Sequence, residues 1–502
     1  MKYAFVSIVI SILFSACLSS DFDTTINKGS LTFSKDTLYL DTVFTNTSSS
    51  TRTLKVYNKS NQNLSIPSVY LERGNSSFYR LNVDGVSGKR VENIDILAKD
   101  SLFIFVEVTI DFNQVSDPLY IDQIVFSSEN EPQKVELVTL VQDAHFLFPQ
   151  KNSEGIKETL EIGIDEEGNS IVVDGFYLSG SQQWTNDKPY VIYGFAGVSS
   201  GNSLQISKGT QIYFHQNSGL IIEKGGSLEM TGEIGEEVVL QGDRLEQLYK
   251  DNPGQWSTIW LRAGSVDNRF ENVIIKNNDI GIVTDSLISQ IDAGLTLKNV
   301  QIYNTSSFGI LGRNAHIKAE NVVVANNGNA SVACTFGGKY EFIHSTLANF
   351  WNKSIRQFPT LYINNFVLSS NGEMTALANN LVQANFINCI IDGNQNAEMV
   401  LERMDGADFN YFFQNNLIQF SDNSGSEPLY DFNNPIYYLN NIFTGNSDFL
   451  GISQNNFLIG EDSEAIDLAD QLKAQEVPFD LLGNDRRVSP DAGAYQYAED
   501  TQ

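Results

Sequence analysis

The sequence predicts an all-β chain in two parts, an antiparallel β-sandwich followed by a stack of short parallel coils. Three observations carry this. Residues 24–145 hold short runs of apolar/polar alternation broken by Asn, Ser, Gly and Asp clusters. Residues 204–230 alternate strictly, with Leu204, Ile206, Ile212, Phe214, Leu220, Ile222, Leu228 and Met230 on one face. Further on, Asn-plus-apolar steps return every 21 to 28 residues.

The first element is an address. Met1 and Lys2 precede an apolar run over residues 3–14, too short for a membrane span of about 20 residues, so it reads as an export signal. Phe14-Ser15-Ala16-Cys17 resembles the lipobox of bacterial lipoproteins, with Phe14 where Leu is usual. The resemblance implies a signal peptide over residues 1–16, lipidation of Cys17 and anchorage in a bacterial outer membrane without a transmembrane helix. Residues 19–23 are a polar, acidic tether, which in some Gram-negative lipoproteins goes with display at the cell surface.

The sandwich spans residues 24–145. Its strands are read from Leu38, Leu40 and Val43, and from the runs 54–58, 102–108, 120–126 and 135–140. Together with Asn58-Lys59-Ser60, Leu64, Ile66, Phe78 and the run 97–101, this order resembles the Hydin-like immunoglobulin domains of bacterial envelope proteins, which implies a spacer or binding module. Residues 145–155 read as a linker.

Over residues 160–460 the repeat is carried by Asn272, Asn299, Asn321, Asn365, Asn388, Asn416 and Asn441, with His344 as a degenerate copy. A unit of this length cannot bury its own apolar face, so stacking must complete the core. Leucine-rich repeats share the period but need several Leu at fixed offsets, whereas these steps are β-branched. Asn tolerates left-handed backbone and its amide can bond the equivalent residue one coil away, so a structural ladder is expected in preference to ligand binding. This stretch, with Gly254-Gln255-Trp256, resembles right-handed parallel β-helix proteins of the pectate-lyase-like superfamily. The end of the chain, residues 461–502, resembles the C-terminal segment of choice-of-anchor Q surface proteins through Asp480, Gly483, Arg486 and Asp491, which implies a cap on the last open coil.

Chemistry is sparser. The chain has 32 Lys+Arg against 61 Asp+Glu, a net charge of −29 that disfavours nucleic acid and acidic polysaccharide substrates. The four His are scattered and give no zinc spacing. The Asp clusters of polygalacturonase-type hydrolases are missing, although Asn277-Asn278-Asp279 sits near where one would fall. Arg313, His316 and Lys318 form a small basic group without a partnered acidic cluster. The loop at Asp405, Gly406, Ala407 and Asp408 is the candidate for calcium, though it lacks the distal Glu of an EF-hand; no other cofactor is implied. Phe409, Tyr411 and Tyr437 belong to an aromatic run expected to fill the core or, where exposed, to contact glycan. Cys334 and Cys389 are too many coils apart to pair, and two buried thiols are expected. The sequence thus favours a non-catalytic envelope lipoprotein whose coil surface binds glycan or protein. A polysaccharide lyase or glycoside hydrolase is the alternative, and a structural envelope component the second.

Overall fold

The computed structural model describes residues 23–165, 167–285, 294–369, 375–421 and 428–498. Cys17, the residue expected to carry lipid, lies outside them. The chain is all-β with large parallel sheets, and it divides between Asp143 and Ala144 into two compact units.

In the first unit, alternation builds two facing sheets. Leu102, Ile104, Val106 and Val108 of Ser101–Val108 point inward and share one core with Ile66, Val69, Ile124 and Leu137 of the opposite sheet. One sheet joins Leu64–Leu71, Arg90–Ile96, Leu119–Phe126 and Gln133–Gln142, and the other joins Arg52–Tyr57, Ser101–Val108, Tyr79–Val83 and Val86–Gly88. Inside, the Tyr79 hydroxyl meets Thr139 Oγ1 at 2.9 Å, and burial pushes its pKa up. The pairing is not wholly antiparallel as expected. Thr37–Phe44 runs parallel to Gln133–Gln142, and Thr25–Ile26 parallel to Leu64–Leu71. Parallel neighbours need a long crossover, and nearly the whole sandwich lies between residues 44 and 133 to supply it.

In the second unit the chain coils. A 10-stranded sheet and a 19-stranded sheet grow together, each coil adding one strand to the first and a bent pair to the second. Ile310–Arg313, Val332–Thr335 and Leu361–Asn364 are consecutive strands of the smaller sheet, all parallel and in register. The eight alternating residues from Leu204 to Met230 are all buried, as the pleat requires. Phe342, Phe386, Phe413 and Tyr438 stack along the core at 5.1, 5.3 and 5.6 Å, one ring per coil. The segment expected to be a linker contributes a strand, His145–Leu147, paired with Tyr190–Ile192.

The bend in the larger sheet falls on the Asn ladder. Asn272, Asn299, Asn321, His344, Asn388, Asn415 and Asn440 share the corner, all with φ between 48° and 57°. In the earlier coils the amide reaches back: Asn299 Nδ2 donates to Asn272 Oδ1 at 3.0 Å, and Asn321 Nδ2 to Asn299 Oδ1 at 3.0 Å. At the degenerate step Asn388 Nδ2 donates to His344 Nε2 at 2.9 Å.

Three residues assigned to this ladder from the sequence lie elsewhere. Asn365 follows a strand of the smaller sheet, where its side chain exchanges two hydrogen bonds with the Met404 backbone. Asn416 and Asn441 fall one position past the corner, in the slot that Val273, Val300, Val322 and Cys389 occupy in earlier coils. Asn416 is fully buried there, its amide shared between Asn441 Oδ1 and the Phe386 carbonyl.

His344 is buried, and desolvation, with the Arg486 charge nearby, holds its imidazole well below the usual range. The unfolded chain therefore takes up a proton below about pH 6.5 that the folded chain refuses, and stability falls with pH by about 1.4 kcal/mol per unit from this group. His344→Asn, which restores the ladder residue, is expected to remove that slope between pH 6.5 and 5 in urea titrations. Cys334 and Cys389 are buried and free, and burial pushes the Cys389 thiol up to about 12. Both are expected to resist alkylation at pH 8 in the native chain and to react fully in denaturant, as read by peptide mass mapping.

Candidate functional site

Alternation on the smaller sheet sends one file of side chains inward and the next outward. Tyr177, Ile221, Trp260, Val283 and Leu311 make one outward file. Two residues further along each strand lie Glu223, Arg262, Asp285 and Arg313, acid and base alternating coil by coil.

These two files are knitted together. Arg262 Nη1 donates to Glu223 Oε1 at 2.9 Å, and the Tyr177 hydroxyl donates to the same oxygen at 3.3 Å. Trp260 Nε1 donates to Asp285 Oδ2 at 2.7 Å, while Arg313 Nε donates to Asp285 Oδ1 at 2.6 Å. The Arg262 and Arg313 guanidinium carbons stand 5.6 and 5.8 Å from the indole, so one cation from its own coil and one from two coils further on lie near the Trp260 ring. The hairpin of Thr159–Ile164 and Ser170–Tyr177 walls one end, where Leu160 packs on Phe195 and Ile221, and Arg262 Nη1 also donates to the Glu161 carbonyl at 2.9 Å. Further along the sheet, Tyr362 donates its hydroxyl to Glu402. The result is a ready-ordered row of donors, acceptors and aromatic surface at the spacing of one strand, about 4.8 Å.

A cleft of 630 Å³ opens near the leading ends of the same strands, lined by Tyr193, Phe195, Asn217 and Ser257. Lys157 bonds Asp174 at 2.9 Å there, and His215 Nδ1 lies 2.7 Å from Asp243 Oδ2. Burial pushes the Asp243 carboxyl up.

The residues singled out from the sequence take other roles. Tyr411 is buried, its hydroxyl donating to the Leu429 carbonyl and its ring stacked on Tyr437 at 4.7 Å. Phe409 packs against its edge, and Phe432 stacks on Phe443 at 4.0 Å. This cluster seals the core at the last coils, so Tyr411 offers no face to a glycan. Asp480, Gly483, Arg486 and Asp491 do come together. Asp480 accepts from the amides of Leu482, Asn484 and Gln496, while buried Arg486 donates to the carbonyls of Gly493 and Ala494. Burial lowers Arg486 to about 10, against the attraction of Asp480 and Asp491.

Their knot lies along the flank of the stack and does not cross its end as expected. Leu481, Ala494 and Tyr495 cover Val323, Ala325 and Ala348, and ladder residues Asn321, Asn388 and Asn415 donate to the carbonyls of Phe479, Asp470 and Leu468.

The basic group does not assemble. Arg313 pairs with Asp285, Lys318 lies 3.9 Å from Glu341, and His316 is buried. Asp279 accepts from Ser306 Oγ at 2.7 Å. In the candidate calcium loop Asp405 faces Arg403 at 3.3 Å, and among the described residues no three His, Cys, Asp or Glu are placed to hold a metal ion. Sequence reasoning missed Glu223, Trp260, Arg262 and Asp285. Their partners stand 39, 25 and 28 residues apart, because loops of different length separate the strands, so no period marks them. No family model matches the chain, and no curated protein matches it.

Proposed function

We propose that the chain is a lipid-anchored envelope protein, held in a bacterial outer membrane through Cys17. In this reading an immunoglobulin-like sandwich carries a right-handed parallel β-helix, and the outer face of the smaller sheet binds a glycan without cleaving it. The parallel, in-register sheets with one short strand per coil support the β-helix. The observation that carries the function is the file Glu223–Arg262–Asp285–Arg313 beside Trp260. A sugar chain lying along it meets a charged donor or acceptor at every coil, and apolar ring surface beside them, with little side-chain freedom left to lose on binding.

A hydrolase is the second reading, because Glu223 and Asp285 share this face with one coil between them, a separation on the order of 9 Å that falls near the range of inverting glycosidases. Both carboxylates are committed to guanidinium groups, an arrangement suited to holding a polar ligand. The chain is therefore expected to bind on a glycan array and to release no reducing ends or unsaturated sugars. Trp260→Ala should weaken binding about tenfold or more by titration calorimetry, and turnover of a bound polysaccharide would replace the binding role with the enzymatic one. Failure to bind any glycan would leave a structural envelope component. Separately, Cys17→Ser is expected to move the protein from the membrane to the soluble fraction and to abolish labelling by radioactive palmitate.

A further inference from the structure

The five-stranded sheet of the first unit turns a second surface outward. Its alternation buries Leu54, Val56, Leu102, Ile104 and Val106 and leaves Lys55, Tyr57, Phe103 and Phe105 on the other side. Phe103 and Phe105 are 46% and 41% exposed, and their rings lie 6.4 Å apart with planes only 17° from parallel. Tyr57 continues the strip on the neighbouring strand, with Lys55 Nζ 5.3 Å from its ring and 5.0 Å from that of Phe103. Two large exposed apolar rings held nearly parallel on a sheet cost area that a solvated face has no reason to expose.

Charge tells what would cover them. Lys59 Nζ lies 5.9 Å from the Tyr57 ring, and Lys99 Nζ donates to the Lys59 carbonyl at 2.6 Å, so three lysines gather around this end of the strip. On a chain of net charge −29 acidic partners are abundant, yet among the described residues no ion pair engages Lys55, Lys59 or Lys99. Asp100, the nearest acid in sequence, spends its carboxylate on the Ser101 amide at 2.8 Å. At the other end, Phe105 borders a 460 Å³ cleft with Arg80, Asn82, Ser87 and Glu107. There Arg80 reaches Glu107 at 3.4 Å and Asn82 Nδ2 donates to Ser87 Oγ at 3.1 Å, a set of polar groups able to exchange bonds with hydroxyls.

We propose that this face is a binding site for an acidic polysaccharide, with sugar rings laid on Phe103 and Phe105 and their carboxylates over Lys55, Lys59 and Lys99. The site is separate from the Trp260 file and does not depend on it. A protein partner would want the same rings but gives no reason for three ammonium groups without a carboxylate partner beside them, whereas a uronate chain uses both.

The test uses the full chain with polygalacturonate, and dextran as the neutral control, by affinity electrophoresis and calorimetry. Binding to polygalacturonate but not to dextran is expected, weakening at least tenfold between 20 and 500 mM NaCl as the charges are screened. Phe103→Ala with Phe105→Ala, and separately Lys55→Gln with Lys59→Gln and Lys99→Gln, should each weaken it at least tenfold, while Trp260→Ala leaves its affinity within twofold. The five side chains lie on the outer side of the sheet and the lysine variant leaves the core untouched, so a loss there with an unchanged circular dichroism spectrum reports the site. Absence of binding to polygalacturonate and to a second uronate polymer, or equal affinity in the lysine variant, overturns the proposal.

Discussion

Everything in the second unit depends on parallel strands stacking in register. Once a coil lies on its neighbour, each inward side chain sits on the equivalent one below it, and each corner on the corner below. An inward file must therefore be compatible with itself over many coils. The ring column of Phe342, Phe386, Phe413 and Tyr438 is one solution, aromatic on aromatic at nearly constant spacing. The file through Val322, Ser345, Cys389 and Asn416 is another, and its polar members are satisfied locally: Ser345 Oγ donates to the Ile343 carbonyl, and the buried Asn416 amide donates to Asn441 Oδ1. A lone buried amide would cost about 1–3 kcal/mol, and two in successive coils satisfy each other.

The same rule organises charge on the outside. Outward files juxtapose residues one strand apart, close enough for alternating acids and bases to bond, so much of the chain's basic minority is locked to carboxylates. Glu271 shows this on the larger sheet, where Arg269 and Lys298 both hold it and pull its carboxyl below the usual range against the effect of burial.

The sequence made the alternation of residues 204–230 and the identity of the corner residues legible, because both are local. A pleat needs period two, and left-handed backbone selects Asn. What it hid is set by loops. The hairpin of Phe366–Ser369 and Thr375–Ala378 lengthens one coil by about a repeat, so Asn365 fell into step by spacing while the register ran from His344 to Asn388. Double Asn pairs at 415–416 and 440–441 left the corner ambiguous by one residue, and pairing alone decides between them. The Trp260 site was hidden for the same reason, since its members adjoin only after coils of unequal length have closed. The Asp480, Arg486 and Asp491 knot was visible as a unit, but its place on the flank rests on contacts more than a hundred residues distant.

That flank segment sets an order on folding. Coils can add one after another as the chain emerges, each templated by the last, yet the outer surface around Val323 and Ala348 and the amide of Asn321 stay bare until residues 457–495 arrive. A coil solenoid built of neighbours alone unravels from either end. Here the late segment ties coils near Asn321 to those near Asn415, so fraying of the last coils must also strip a surface far back along the stack, and the coils between are bound to open or hold as one cooperative block.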